Sequence, residues 1–173
     1  MHIALVLTVL GDDRPGLIET LSAVLEQHGA NWLESRMVDL AGKFAGVLKV
    51  SVPATSSDAL SAALIDLSAQ GLQIQVQIVD ATGSTPESTE TLQLEVLGPD
   101  APGIINNITS QLAALRINVD ELCSEQRQAA MSGDKLFFAE MTLELPEGVT
   151  QDDVQDALEE TPDQLMVSLQ KEM

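Results

Sequence analysis

The chain contains one cysteine, no tyrosine, one tryptophan and three phenylalanines in 173 residues. Each scarcity removes a class of function. Cys123, the one thiol, excludes an internal disulfide and any all-cysteine metal site, which fits a reducing compartment. With no histidine near it, it reads as small apolar filler rather than a nucleophile. So few aromatic rings leave no platform on which single-stranded bases could stack. Cations are scarce too: 8 Lys and Arg stand against 27 Asp and Glu, for a net charge of −19. Phosphate contacts rest on Lys and Arg, so direct binding to DNA or RNA is not expected. His2 and His28 are too isolated to form a ligand cluster, and no Gly-x-Gly-x-x-Gly or Gly-Lys-Ser loop is present. No metal, cofactor or catalytic dyad is implied.

Long apolar runs are also missing. No stretch approaches the roughly 18 apolar residues of a membrane span. The apolar start His2-Ile3-Ala4-Leu5-Val6-Leu7 lacks a basic segment before it and leads straight into patterned sequence. A cytoplasmic chain with a mature N-terminus is expected, with no membrane partner.

What is present is a duplication. Gly11-Asp12-Asp13-Arg14-Pro15-Gly16 recurs 87 positions later as Gly98-Pro99-Asp100-Ala101-Pro102-Gly103, each time between a strand pattern and a helix pattern. Residues 2–10 are nearly all apolar with β-branched members, and read as a central strand covered on both faces. From Pro15, Leu17, Ile18, Leu21, Val24 and Leu25 form one helical stripe ending near Gly29. Residues 30–40 are extended but mixed in polarity, as suits a sheet edge, with Trp32 expected in a core or an interface. Ala41-Gly42-Lys43 turns the chain into a strand that Pro53 ends. Ser56 or Ser57 can cap a second helix through Leu60, Ala63, Leu64 and Leu67, and Leu72, Ile74, Val76 and Ile78 alternate with glutamines as a last strand.

The cycle then restarts. Leu92, Leu94 and Val96 form a strand, and Ile104, Ile105, Ile108, Leu112 and Leu115 a helical stripe. Residues 117–127 and 135–145 form a hairpin around a longer loop at 130–134. An acidic helix begins near Thr150, and Leu165, Val167 and Leu169 alternate as a final strand. A repeat this long is a tandem domain duplication rather than a solenoid. The fold class is therefore α+β: two tandem ferredoxin-like βαββαβ domains, each an antiparallel four-stranded sheet with two helices on one face. Domain 1 is assigned to residues 1–80, a small polar linker to 81–90 and domain 2 to 91–173. Charge divides unevenly, with net −5 over residues 1–86 and −14 over 87–173. Solvated helix faces account for such acidity, and so does a partner with a basic surface.

The repeated loop carries the candidate chemistry. A strand-to-helix turn gathers free backbone N–H groups and the positive end of a helix dipole, where an anion can be held. Gly16 and Gly103 keep the approach open. Asp13 and Asp100 can cap their helices or accept hydrogen bonds from an ammonium group. An N–H nest for a carboxylate beside an acceptor for an amine suits a free α-amino acid. The same residues are also what any tight turn would use. Asn31 and Asn118, which begin the next extended segments, could offer an amide to a ligand or satisfy a turn. Arg14 could clamp a carboxylate, but Ala101 replaces it in the second copy, so two ligand loops would be unequal, with the 11–16 loop the first place to look.

Gly11-Asp-Asp-Arg-Pro-Gly-Leu-Ile18, followed by Gly29-Ala-Asn-Trp-Leu-Glu-Ser-Arg-Met37, resembles the first ACT domain of the glycine cleavage system transcriptional repressor family. Gly98-Pro-Asp-Ala-Pro-Gly-Ile-Ile105 with Ile117-Asn118 resembles the second. The resemblance implies sensing of a small molecule, glycine or another amino acid, where the first loop of one ACT domain faces the edge strand of another. It implies ligand contacts at Asp13, Arg14, Pro15, Gly16, Leu17 and Asn31, and at Asp100, Pro102, Gly103, Ile104 and Asn118. It further implies a repressor that is not an enzyme and binds no nucleic acid, acting by contact with a DNA-binding transcriptional activator. The alternative is an ACT-type regulatory subunit that binds an amino acid and controls a metabolic enzyme directly. An acylphosphatase-like enzyme has only Arg14 and Asn31 in its favour. The edge strand at 31–40 could pair within the chain or across a homodimer.

Overall fold

The computed structural model describes residues 1–79, 90–129, 133–159 and 165–171. The chain divides into two compact units, Met1–Thr85 and Pro86–Met173. Nearly all of the expected linker, and residues 130–132 of the longer hairpin loop, lie outside the described residues.

The first unit runs β1 (His2–Asp12), α1 (Leu17–Gln27), β2 (Asn31–Leu40), β3 (Lys43–Pro53), α2 (Ser57–Asp66) and β4 (Leu72–Val79). The second repeats it with β5 (Glu90–Pro99), α3 (Ile104–Ala114), β6 (Asn118–Gln128), β7 (Lys135–Leu145), α4 (Gln151–Glu159) and β8 (Met166–Lys171). Both sheets are antiparallel, in the orders β2-β3-β1-β4 and β6-β7-β5-β8. This is the ferredoxin-like arrangement, present twice.

Strand alternation decides where the cores form. Leu5, Leu7 and Val9 of β1 share a face with Leu48, Val50 and Val52 of β3, and against it pack Leu17, Leu21 and Leu25 of α1 and Leu60 and Leu64 of α2. In the second unit Leu92, Leu94 and Val96 join Ala139, Met141 and Leu143 under Ile104, Ile108 and Leu112 of α3 and Val154 and Leu158 of α4. Burying each such aliphatic side chain contributes about 1.5–3 kcal/mol before entropy is counted. Trp32 is half-buried against the first core, and its Nε1–H donates to Ser35 Oγ at 3.3 Å.

Three details differ from the pattern-based reading. Within its unit β1 is covered by helices on one face only, and on the other Thr8 and Leu10 are exposed. A uniformly apolar run does not reveal this one-sided cover, because periodicity is lost when both faces carry apolar residues. Ser56 stands before α2 without a side-chain cap, and Ser57 is buried inside the helix. Cys123 is exposed on the helix-free face of β6 rather than filling a core. The Leu40–Lys43 hairpin is closed by Ala41 and Gly42, both at positive φ, the geometry whose twist matches the flanking strands. Thr150 and Asp153 start α4 with a reciprocal cap: Thr150 N–H donates to Asp153 Oδ2 at 2.8 Å, and Asp153 N–H donates to Thr150 Oγ1 at 3.3 Å.

Candidate functional site: two strand-to-helix loops

Each loop is built alike. β1 ends at Asp12, the Asp13 N–H donates to the Gly42 carbonyl of the hairpin turn at 2.9 Å, and Gly16 at φ 90° swings the chain into α1. In the second unit the Asp100 N–H donates to the Lys135 carbonyl at 3.0 Å, and Gly103 at φ 97° opens α3. Left-handed backbone of this kind favours glycine, which is the local reason for the conserved pattern within the chain. The first helical bonds are Thr20 N–H to Gly16 O and Asn107 N–H to Gly103 O, both 2.9 Å. The N–H groups of residues 17–19 and 104–106 thus precede the first helical bond of their helices.

Neither helix has a side-chain cap. The aspartates therefore do not cap, because glycine occupies the capping position and the carboxylates lie three residues ahead of it. Leu17 and Ile104 are buried in their cores, so only their backbones can touch a ligand. Pro15 and Pro102 are exposed on the loops.

Surroundings separate the two copies. In the first, Asp12 is paired with Lys43, which holds its carboxyl below the ordinary value, and the Arg14 guanidinium donates to the Gln70 carbonyl. Arg14 is thus tied to the turn before β4 instead of standing free as a clamp. Asp13 meets the Asp39 carboxyl at the end of β2, and this shared hydrogen bond raises its pKa. In the second copy the amide of Gln126, which stands 87 positions after Asp39, donates to Asp100. An open depression of about 540 Å³ lies over the start of α3, lined by Asp100, Gly103, Ile104, Asn106, Thr109 and Phe137 among others.

The asparagines lie elsewhere. Asn31 pairs with Ser51, which pairs with Ala4 near the beginning of β1, whereas the loop follows the end of β1. The separation is roughly 25 Å along the strand. β2 runs parallel to β1, which a local reading of a βαβ pattern does not convey. Asn118 is likewise at the far end of its sheet, and its amide donates to Asp120 at 2.7 Å and to Glu144 at 3.3 Å. One unit therefore does not bring its loop and its asparagine together, and Arg14 and Asn31 do not share an acylphosphatase-like cradle. Asp39 and Gln126, both adjacent to the loops, escaped sequence reasoning. Their only signal was a shared 87-residue offset from each other.

An ACT-domain profile matches residues 4–78. A UPF0237 protein of Methanococcus maripaludis is 35% identical over 75 residues, which make up 83% of that protein and 42% of this chain. The chain belongs to the ACT-domain family. Over 128 residues, 72% of the chain, this ACT protein is 27% identical to the glycine cleavage system transcriptional repressor of Escherichia coli. The match spans 66% of that repressor, just under two thirds of its length. The crystal structure of an unknown protein from Galdieria sulphuraria superposes on the whole ACT chain with a TM-score of 0.81 at 28% identity, covering 100% of each. A structure designated as a glycine cleavage system transcriptional repressor covers 99% of each chain with a TM-score of 0.73 at 20% identity, which bears on fold alone.

Proposed function

We propose that this protein is a non-enzymatic regulator that senses an amino acid, glycine or one similar to it, and controls transcription by contact with a DNA-binding activator. The observation that carries the sensing role is the pairing of uncapped helix N–H groups with an aspartate at each loop. The N–H groups suit an α-carboxylate, and Asp13 or Asp100 suits the ammonium. Backbone contacts at Pro15–Leu17 and Pro102–Ile104 would shape the site, with Arg14 recruited from Gln70 where the ligand is bulkier. Asn31 and Asn118 would enter such a site only from a second ACT domain. The regulatory role is supported by the likeness to the E. coli repressor. Acting through protein contact is supported by a net charge of −19, which opposes binding to a polyanion. The same reading places the protein in the cytoplasm, and among the described residues no helix is long and apolar enough to cross a membrane.

Binding selects the ligand-competent arrangement from those the chain visits. A thermal-shift panel of the common amino acids tests the reading. Ligand at about a hundred times Kd stabilises the folded state by roughly 2.7 kcal/mol, and the shift is lost in Asp13→Asn or Asp100→Asn, according to which loop binds. No shift with any amino acid would end the sensor reading. Co-purification of an enzyme, rather than a DNA-binding protein, would favour direct control of metabolism instead.

A further inference from the structure

Each sheet ends in two edge strands, and the four edges are finished differently. An edge strand presents unpaired backbone N–H and C=O groups to any chain that lies beside it, and charge, bulges and shortness are what discourage such pairing. β2 carries Glu34, Arg36 and Asp39 and is broken by a register shift between Trp32 and Glu34. β6 carries Asp120, Glu121, Glu125 and Arg127, with a shift between Val119 and Glu121. β8 has 6 residues and ends on Lys171, which pairs with Glu90.

β4 has none of these guards. Its 8 residues, Leu72-Gln-Ile-Gln-Val-Gln-Ile-Val79, include no charge, no proline and no glycine, in a chain of net charge −19. They lie along β1 in unbroken register, from Gly11 opposite Leu72 to Ala4 opposite Val79. Among the described residues no strand pairs along the outer side of β4. Gln73, Gln75 and Gln77 are exposed on the helix-free face, opposite Leu10, Thr8 and Val6. On the other face Leu72 and Ile74 are buried, whereas Ile78 is 72% exposed.

We infer that β4 pairs antiparallel with β4 of a second copy, joining two four-stranded sheets into one continuous sheet about a two-fold axis. An axis perpendicular to the sheet keeps the helices of both copies on one face, and it sets even-numbered residues opposite even-numbered ones and odd opposite odd. Leu72, Ile74, Val76 and Ile78 then meet only one another, which covers Ile78, and Gln73, Gln75 and Gln77 meet only glutamine or Val79. A glutamine amide both donates and accepts, so it is its own complement, and the absence of charge leaves no like-charged pair across the axis. This self-complementarity is what identifies the occupant as a second copy. No amino-acid ligand takes part, so the pairing is independent of the sensor reading.

Sedimentation of the full chain over a wide concentration range, without ligand, tests it. The wild-type chain should form a dimer. Gln75→Lys/Gln77→Lys and Gln75→Glu/Gln77→Glu, both at exposed positions, should each weaken that dimer by about tenfold or more, because like charges then face each other across the axis. The lysine variant lowers the net negative charge, so its dissociation would not come from overall repulsion. Mixing the two variants should restore association as a heterodimer, and circular dichroism of each checks that the fold is kept. Val38→Lys, which alters β2 and the open sheet face, should leave the dimer intact. A wild-type chain that stays monomeric, a dimer indifferent to both double variants, a mixture that fails to associate, or a dimer dissociated by Val38→Lys would overturn the proposal.

Discussion

The two ACT domains share a backbone plan and differ in how their outer surfaces are finished. On the helix-free face of the first sheet lie Val6, Leu10, Val38, Leu40 and Val47, with Glu34, Arg36, Lys43 and Lys49 as the charged residues of β2 and β3. The same face of the second sheet carries Glu95, Glu121, Glu125, Glu140 and Glu144, with Arg127 stacked on Phe138 and paired to Glu125. Register assigns these five glutamates to the places of Thr8, Glu34, Val38, Val47 and Ser51. The duplicated core keeps apolar residues at matched positions, with exchanges such as Leu48 for Met141 and Val50 for Leu143, because packing tolerates only fitted changes of volume, whereas a solvated face tolerates either chemistry. The loops follow the same rule: anchoring bonds are kept and the side chains around them diverge.

The largest expected effects test whether the cores are equivalent and separate. Leu7 and Leu94 occupy matched, fully buried positions. Leu7→Ala and Leu94→Ala should each cost about 2–5 kcal/mol, and calorimetry should show each variant shifting a different unfolding transition. A single transition moved equally by both would break the picture of two separate cores.

A compensated exchange between the sheets gives the next effect. Gly46 faces Met37, and a Cβ there would stand 2.6 Å from both the Arg36 carbonyl oxygen and Met37 Cγ. The matched pair in the second domain is Ala139 with Ser124, a methyl group opposite a smaller edge residue. Gly46→Ala should therefore destabilise by about 1–3 kcal/mol through overpacking. Met37→Ser should recover part of that loss, measured by denaturant titration as a double-mutant cycle. Simple additivity would show that the two positions are not coupled.

Helix starts give a smaller contrast. α4 has the Thr150–Asp153 reciprocal cap, whereas α2 has no side-chain cap. Thr150→Ala should lower Tm by roughly a few degrees, and Ser56→Ala should change it far less. Acid titration sharpens the same point. The Asp153 carboxyl is held below its ordinary value by its bonds to Thr150, and the Asp12 carboxyl by Lys43. Their stabilisation is complete above the ordinary carboxylate value near 4 and is lost as pH falls through the depressed folded values. Asp13, raised by Asp39, acts oppositely, and its contribution is lost as pH rises from about 4 through the raised value. Tm recorded between neutral and acid pH should respond to Thr150→Ala and Asp39→Asn with opposite signs. The smallest effect concerns the acidic sheet face: raising ionic strength from about 0.01 to 0.15 M should stabilise the second domain more than the first.

Much of this was legible from residue order alone. The duplication, the order of elements, the apolar stripe of each helix and the turn glycines are local facts, written in periodicity and in positions that need positive φ. The candidate loops were legible for the same reason. Their surroundings were not. Asp39 meets Asp13, Arg14 reaches Gln70, and Asn31 is removed to the far end of the sheet, all through pairings between residues distant in sequence.

By itself the sequence determined that there are two βαββαβ domains, which stretches are helices and which of their residues face a core, because those follow from short-range spacing and the demand to bury apolar side chains. Only the tertiary structure decided which sheet face stays outside the helices, which end of the sheet holds each asparagine, and which partner each loop aspartate meets. Those depend on strand direction and register, which are settled by long-range pairing, and a single step of register would turn every side chain to the opposite face.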